Sequence, residues 1–166
     1  MQNIEMDKLQ YKIYHENKNH TPDDFPYNTY LCSIPLDFQS VNLHWHDEVE
    51  IIVIKKGSGI VSVDLTTYSV SAGDIIFVLP GQLHAISQKD NEIMEYENIL
   101  FKSSLLKSSD YDLCNDKFIQ PLFSGSLNIC PVINNQTPYY PPVTTAINEI
   151  DHLCDLRPYA YQLSIK

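Results

Sequence analysis

Cysteine is scarce in this chain, 4 residues in 166, and no two of them form a C-x-x-C pair. That absence excludes zinc ribbons and dithiol redox motifs, so Cys32, Cys114, Cys130 and Cys154 read as small buried thiols in a reducing compartment. Positive charge is short as well: 11 Lys and Arg stand against 21 Asp and Glu, a formal net charge of −10 at pH 7. A surface of that sign repels polyphosphate, which argues against nucleic-acid binding by this segment alone. Apolar runs end after a handful of residues, far below the roughly 20 that span a bilayer. No basic-then-apolar leader opens the chain, and the expected location is the cytoplasm, with no membrane partner. Hydrophobic residues make up 43% and charged residues 19%, the balance of an ordinary globular domain with one real core.

One stretch carries chemistry in its spacing, His44 to His84. It opens with His44-Trp45-His46-Asp47-Glu48-Val49-Glu50 and closes with Pro80-Gly81-Gln82-Leu83-His84. Successive side chains of a strand point to opposite faces, so His44, His46, Glu48 and Glu50 share one face while Trp45, Val49, Ile51 and Val53 take the other. Two imidazoles and a carboxylate on one face make a polar pocket or most of a metal shell, and His84 is placed to supply a fourth group. A set of hydrogen-bonded polar residues fixing strand register is the plainer reading. Burying that many polar groups without a partner is costly, which favours a pocket. Three His and one Glu suit zinc, nickel, iron or manganese without choosing among them. Trp45, on the far face, reads as packing and not as ligand stacking. Gly57-Ser58-Gly59 reads as a hairpin turn and not a phosphate cradle, since no helix start follows it.

Taken in order, residues 1–8 show no period and read as a loose arm. Leu9 to Tyr14 alternates as a strand would, and the polar connection to Pro26 leaves His15 and His20 expected in solvent. Tyr30–Ile34 reads as a strand stopped by Pro35. From Val41 the signal is almost continuously β: Val41–His46, Val49–Ile54, Gly59–Asp64, Tyr68–Ser71, Ile75–Leu79, Ala85–Gln88 and Ile93–Phe101. Short strands separated by turn residues at regular spacing indicate a sandwich or barrel. In the last strand Glu95 and Glu97 are expected to face water, turning Tyr96, Asn98 and Leu100 inward, where Asn98 beside Tyr96 either satisfies itself within the core or helps line a pocket. Ser103–Leu106 reads as a helical turn capped by serine, and Asp110–Phe118 as another helical piece, followed by a loop at Ser124-Gly125-Ser126. Pro141-Pro142 signals a helix start, after which Val143, Ile147, Ile150 and Leu153/Cys154 form an apolar stripe. Pro158 opens a second helix bearing Tyr159 and Leu163, and His152 falls on a surface or interface. No cap or polar tail follows Lys166, as expected of the front part of a longer protein.

The pattern His44-x-His46-x-x-x-Glu50, six residues, then Gly57 resembles the first cupin motif at every spacing. Gly73-Asp74 through Pro80-Gly81-x-x-His84 resembles the second, in the form found in the sensor domains of AraC-type transcription regulators. The resemblance is specific from residue 41 to 106 and looser to 166. One departure is that Gly81 directly follows Pro80 and Gln88 stands where the enzyme-type motif ends in Asn, which leans toward a sensor. The resemblance implies a mainly β fold, a cupin-like double-stranded β-helix or jelly-roll barrel, followed by C-terminal α-helices. It divides the chain into an arm with first strands (1–40), a barrel core (41–106), and a linker with amphipathic helices for homodimerisation (107–166). It further implies a small-molecule effector, a sugar or other polar metabolite, contacting His44, His46, Glu50, His84, Tyr96 and Asn98. DNA would be bound only by a helix-turn-helix domain beyond Lys166. The rival expectation is a metal-dependent cupin enzyme of isomerase or dioxygenase type, with His44, His46, Glu50 and His84 as ligands to a divalent Zn, Ni, Fe or Mn. A dimerisation module with a vestigial pocket is the third.

Overall fold

The computed structural model describes residues 8–107, 110–127 and 129–166. The loose arm expected over residues 1–8 lies, but for Lys8, outside the described residues. The chain opens with α1 (Lys8–Ile13) and continues through β1 (Tyr27–Ile34), β2 (Ser40–His44), β3 (Glu48–Val63), β4 (Thr66–Ser71), β5 (Ile75–Val78), β6 (His84–Gln88) and β7 (Met94–Lys102). A 3₁₀ turn (Ser103–Leu106), a π turn (Asn115–Ile119) and α2 (Gln120–Phe123) lead to β8 (Val132–Ile133), α3 (Tyr140–Leu156) and α4 (Tyr161–Ile165). The architecture is the mainly β barrel with C-terminal helices that the sequence implies.

The barrel is organised by β3. Its first half pairs with β7 on one side and β5 on the other, and its second half pairs with β4 and β6. One strand thereby passes from the sheet β1-β7-β3-β5-β8 into the sheet β2-β6-β3-β4, and all these pairings are antiparallel. The hairpin expected at Gly57-Ser58-Gly59 is not there, because β3 runs straight through those residues. The glycines serve the corner instead. The register against β7 slips between Ile54 and Lys56, and Gly57 has φ +72°, where a Cβ would stand 1.7 Å from the Ile93 carbonyl oxygen. A Cβ on Gly59 would meet the Met94 sulfur at 2.4 Å. A side chain at either position would push the two strands apart where the sheet bends.

The interior face of β3 continues Glu50 with Ile52 and Ile54, which pack with Val61, Ile76, Ile86 and Tyr96 between the sheets. Burying each such aliphatic group contributes about 1.5–3 kcal/mol, so this layer carries the fold. On the outer face Val53, Ile75 and Ile99 hold Ile147 of α3, and Ile51 and Val143 join them. The apolar stripe of α3 is thus spent, at its centre, on the chain's own sheet. Beside it Lys55 reaches Glu97 at 2.6 Å and Asp151 of α3 at 2.9 Å, so Glu97 is not the water-facing residue that alternation suggests. Glu95 does face outward and pairs with Lys56 at 2.9 Å. The Tyr140 hydroxyl donates to the Gly73 carbonyl at 2.8 Å, pinning the start of α3, whose first turn holds the expected prolines.

Three local expectations change. Leu9–Tyr14 lies in and just after a helix, not in a strand: Tyr11 stacks on Trp45 with ring centroids 4.7 Å apart, and Trp45 Nε1 donates to the Tyr11 carbonyl at 2.8 Å. The turn at Ser103 begins from Lys102 and has no side-chain cap. The cysteines are all free, but Cys114 and Cys130 are exposed and Cys32 and Cys154 half-buried, so none is a core residue.

Candidate functional site

The end of β2, which carries His44, the link of residues 45–47 with His46, the start of β3 with Glu48 and Glu50, and the turn before β6 build the central cluster. The turn is held by Gly81, whose N–H donates to the His46 carbonyl at 2.9 Å, and by Gln82, whose Oε1 accepts from the Leu79 N–H at 2.8 Å and whose Nε2 donates to Asp64 at 2.7 Å. That turn delivers His84 opposite His44 in the β2–β6 register. His84 and His44 rings lie 4.1 Å apart, and His84 and His46 rings 5.0 Å. Glu50 Oε2 lies 3.0 Å from both His46 Nε2 and His84 Nε2. Glu48 is buried too, 3.5 Å from His46 Nδ1. The expected face of His44, His46, Glu48 and Glu50 is therefore real, and His84 does join it.

A cavity of about 520 Å³ opens beside this cluster. His44, His46, Glu50, Tyr96 and Asn98 all line it. His84, only 1% exposed, is not on its wall and stands behind Glu50, His44 and His46, which are. The register fixes the cavity's length: Glu50 lies opposite Leu100 and Ile54 opposite Tyr96, so the wall runs four residues along β7, about 13–14 Å. Tyr30 and Cys32 of β1 stand opposite Asn98 and Tyr96. The hydroxyl of Tyr96 and the Oδ1 of Asn98 are buried without hydrogen-bond partners, so the two do not satisfy each other. The Cys32 thiol neighbours the Tyr96 hydroxyl without completing a bond, and burial followed by that thiol pushes the phenol well above its ordinary range.

The segment between α1 and β1 closes the cavity, and sequence reasoning missed it. His15, expected in solvent, packs on Trp45 with centroids 4.1 Å apart, and His20 is nine-tenths buried. His20 Nε2 donates to Glu16 Oε2 at 2.9 Å, and its ring lies 5.3 Å from that of His46. Nothing periodic marks Glu16 and His20, which arrive through an irregular segment. Tyr30 and Cys32 were within reach, since alternation from Ile34 puts them on its face. His152 is exposed, as expected of a surface residue.

Charge inside the cluster is settled by contacts. Burial would raise the Glu50 carboxyl, but hydrogen bonds from His46 and His84 override it and hold the group far below the usual carboxylate range. Burial would lower His84, and Glu50 overrides that too, so its pKa is raised. His44 moves the other way, lowered by burial and by His84. Burial also opposes ionisation of Glu16, and the bond from His20 brings its pKa down.

The four side chains also suit a metal ion. One ligand atom from each of His44, His46, Glu50 and His84 lies within 4.8 Å of all the others. His44 Nδ1 donates to the Asn42 carbonyl at 2.8 Å and His84 Nδ1 to the Gln82 carbonyl at 2.9 Å. These bonds fix the ring orientations and present Nε2 inward, the outer-shell arrangement metal-binding imidazoles use.

The model of the AraC-like ligand binding domain matches residues 34–129. The uncharacterized HTH-type transcriptional regulator YdeC of Bacillus subtilis is 24% identical over 152 residues, which is 90% of this chain and 51% of that protein. The chain thus spans about half the length of this relative. Among solved structures, a cupin protein from Bacteroides fragilis is 21% identical with a TM-score of 0.45, covering 53% of this chain and 74% of that one. A Cupin 2 conserved barrel domain protein from Salinispora arenicola is 21% identical with a TM-score of 0.42, covering 48% and 66%. No helix among the described residues is long and apolar enough to cross a membrane. With its family match spanning more than half its length, the chain belongs to the AraC-like ligand-binding domain family.

Proposed function

We propose that this chain is the effector-sensing domain of a transcription regulator, and that the effector occupies the cavity between β1, β2, β7 and residues 13–20. The observation that supports this most is the cavity itself: about 520 Å³ of space walled by apolar groups, with unpaired polar atoms on Tyr96, Asn98 and His20. Buried polar atoms without partners are costly, and a ligand that pairs them recovers the loss. His44, His46 and Glu50 offer polar contacts from the same wall, with His84 behind Glu50.

The switch works by linkage. An effector shifts an equilibrium only by its differential affinity for two arrangements. β7 contacts the ligand through Tyr96 and Asn98 on one face and meets Lys55 and, through it, α3 through Glu97 on the other. Movement of β7 on binding is thereby passed to α3, and from α3 to a DNA-binding domain following this chain, as the helix-turn-helix designation of YdeC suggests. Leu156, Tyr159 and Leu163 remain exposed at the C-terminal end and form the surface proposed for a second copy in a cytoplasmic homodimer. The test is operator binding by the full-length protein with and without a compound that raises the stability of this domain. Operator affinity unchanged by every such compound contradicts the sensing role.

The metal cluster supports a second reading. His44, His46, Glu50 and His84 would hold a divalent zinc, nickel, iron or manganese ion, which when bound supplies a Lewis acid and an open coordination position. Glu50 and the Nδ1-anchored imidazoles would orient such an ion, and the cavity would hold the substrate of a metal-dependent enzyme. Elemental analysis after dialysis separates the readings: about one ion per chain together with turnover favours the enzyme, and traces of metal favour the sensor.

A further inference from the structure

We infer that the cavity takes an organic cation, a primary amine carried on an apolar, ring-sized body, with its ammonium group held by Glu16 and His20. This inference rests on the effector-pocket reading and names the chemical class of the occupant.

Acceptors gather at one end of the cavity, whose wall also carries Lys18. Glu16 Oε2 accepts from His20 Nε2 at 2.9 Å and lies 3.5 Å from His44 Nε2. The Nδ1 hydrogen of His44 is already committed to the Asn42 carbonyl at 2.8 Å. His20 donates through Nε2, and its other ring nitrogen, Nδ1, is buried without a partner on a side chain 10% exposed. Asn98 Oδ1 is a further buried oxygen with no donor. An incoming carboxylate or phosphate would add acceptors to this set and face Glu16 and Glu50.

The wall selects between the two kinds of donor-bearing ligand. Most of the lining is apolar, including Phe38, Val41, Leu43 and Leu100. A sugar carries hydroxyls all round and would leave several against these groups unpaired. An amine concentrates its donors in one group with three N–H bonds and leaves the rest of the molecule apolar. Aromatic faces complete the fit, because they attract a cation. The wall already displays that contact: Lys18 Nζ lies 5.1 Å from the centroid of the Tyr30 ring, and His20 meets the same ring edge-on at 5.9 Å. The net charge of −10 favours approach of a cation over an anion.

The experiment is calorimetry on the chelator-treated protein at one fixed pH with four probes: 2-phenylethylamine, 2-phenylethanol, 3-phenylpropanoate and glucose. The amine is expected to bind at least tenfold more tightly than the alcohol, and the acid and the sugar not at all. Glu16→Gln is expected to weaken the amine about tenfold, as loss of a charge-assisted contact does, while leaving the alcohol unchanged. The acid or glucose binding as well as the amine, with that binding lost in Tyr30→Ala, overturns the amine assignment and leaves the effector pocket standing. Binding by none of the four overturns both. An amine affinity indifferent to Glu16→Gln overturns the placement of the ammonium group.

Discussion

His84 meets an acceptor at each ring nitrogen, the Gln82 carbonyl at Nδ1, 2.9 Å, and Glu50 Oε2 at Nε2, 3.0 Å. Neither partner carries a hydrogen of its own. The ring must then hold both protons, as an imidazolium against a buried carboxylate, or a cation must replace one of them. The same contact explains the opposite shifts of the two groups, Glu50 downward and His84 upward.

Removing one member of this pair leaves the other buried and unpaired. Glu50→Gln and His84→Ala are each expected to lose about 3–5 kcal/mol in urea unfolding. The double replacement Glu50→Gln with His84→Ala should lose less than the sum of the singles. Because His84 is only 1% exposed, His84→Ala reads stability as well as any effector contact. Additive losses in the cycle would show that the two groups do not interact.

The pH dependence follows from the signs. The Glu50 contribution is present above its ordinary value of 4.5 and is lost as pH falls through its depressed folded pKa. The His84 contribution is present below 6.5 and is lost as pH rises through its raised folded pKa. His44, lowered, disfavours the folded state as pH drops below 6.5. A histidine NMR titration in chelator should place the midpoint of His84 above 6.5 in the native protein, and Glu50→Gln should bring it down. A midpoint that stays put in the variant contradicts the pairing.

Trp45 anchors the segment that closes the cavity. Trp45→Ala removes the stack on Tyr11 and the bond to its carbonyl. We expect a cost of about 2 kcal/mol for this half-buried ring and faster proteolysis between residues 8 and 20. Unchanged cleavage of that segment would mean that it is held by other contacts.

Ile147 seats α3 on the outer sheet with Val53, Ile75 and Ile99. Ile147→Asp buries a charge there and is expected to cost about 2–4 kcal/mol, seen as a lower Tm. Leu163→Asp, at a position 76% exposed, should leave Tm unchanged and shift sedimentation toward monomer if the C-terminal surface pairs copies. A dimer unaffected by Leu163→Asp would move the interface elsewhere.

Legibility in the sequence tracked periodicity. Seven strands and the His44–Glu50 face were readable because alternation on a half-buried strand leaves a two-residue period, and His84 because a Pro-Gly turn announces its approach. The Lys8–Ile13 helix was not, since Leu9-Gln10-Tyr11-Lys12-Ile13 alternates polar and apolar residues while its seat, Trp45, lies far along the chain. Gly57 and Gly59 looked like a hairpin because the same residues that turn a chain also let a strand bend through a corner. Glu16 and His20 belong to the cavity through an irregular segment, whose path is set by tertiary contacts and leaves no period to read. The stripe of α3 was visible, but a helix face does not state whether its partner is a second copy or its own sheet.

The most direct test of the cavity as the effector site is residue-resolved NMR of the protein titrated with a compound that raises its Tm. Shifts are expected to concentrate at His20, Tyr30, Tyr96 and Asn98, followed by smaller ones at Glu97 and along α3. Shifts confined to α3 and α4, with those four residues silent, would contradict that assignment.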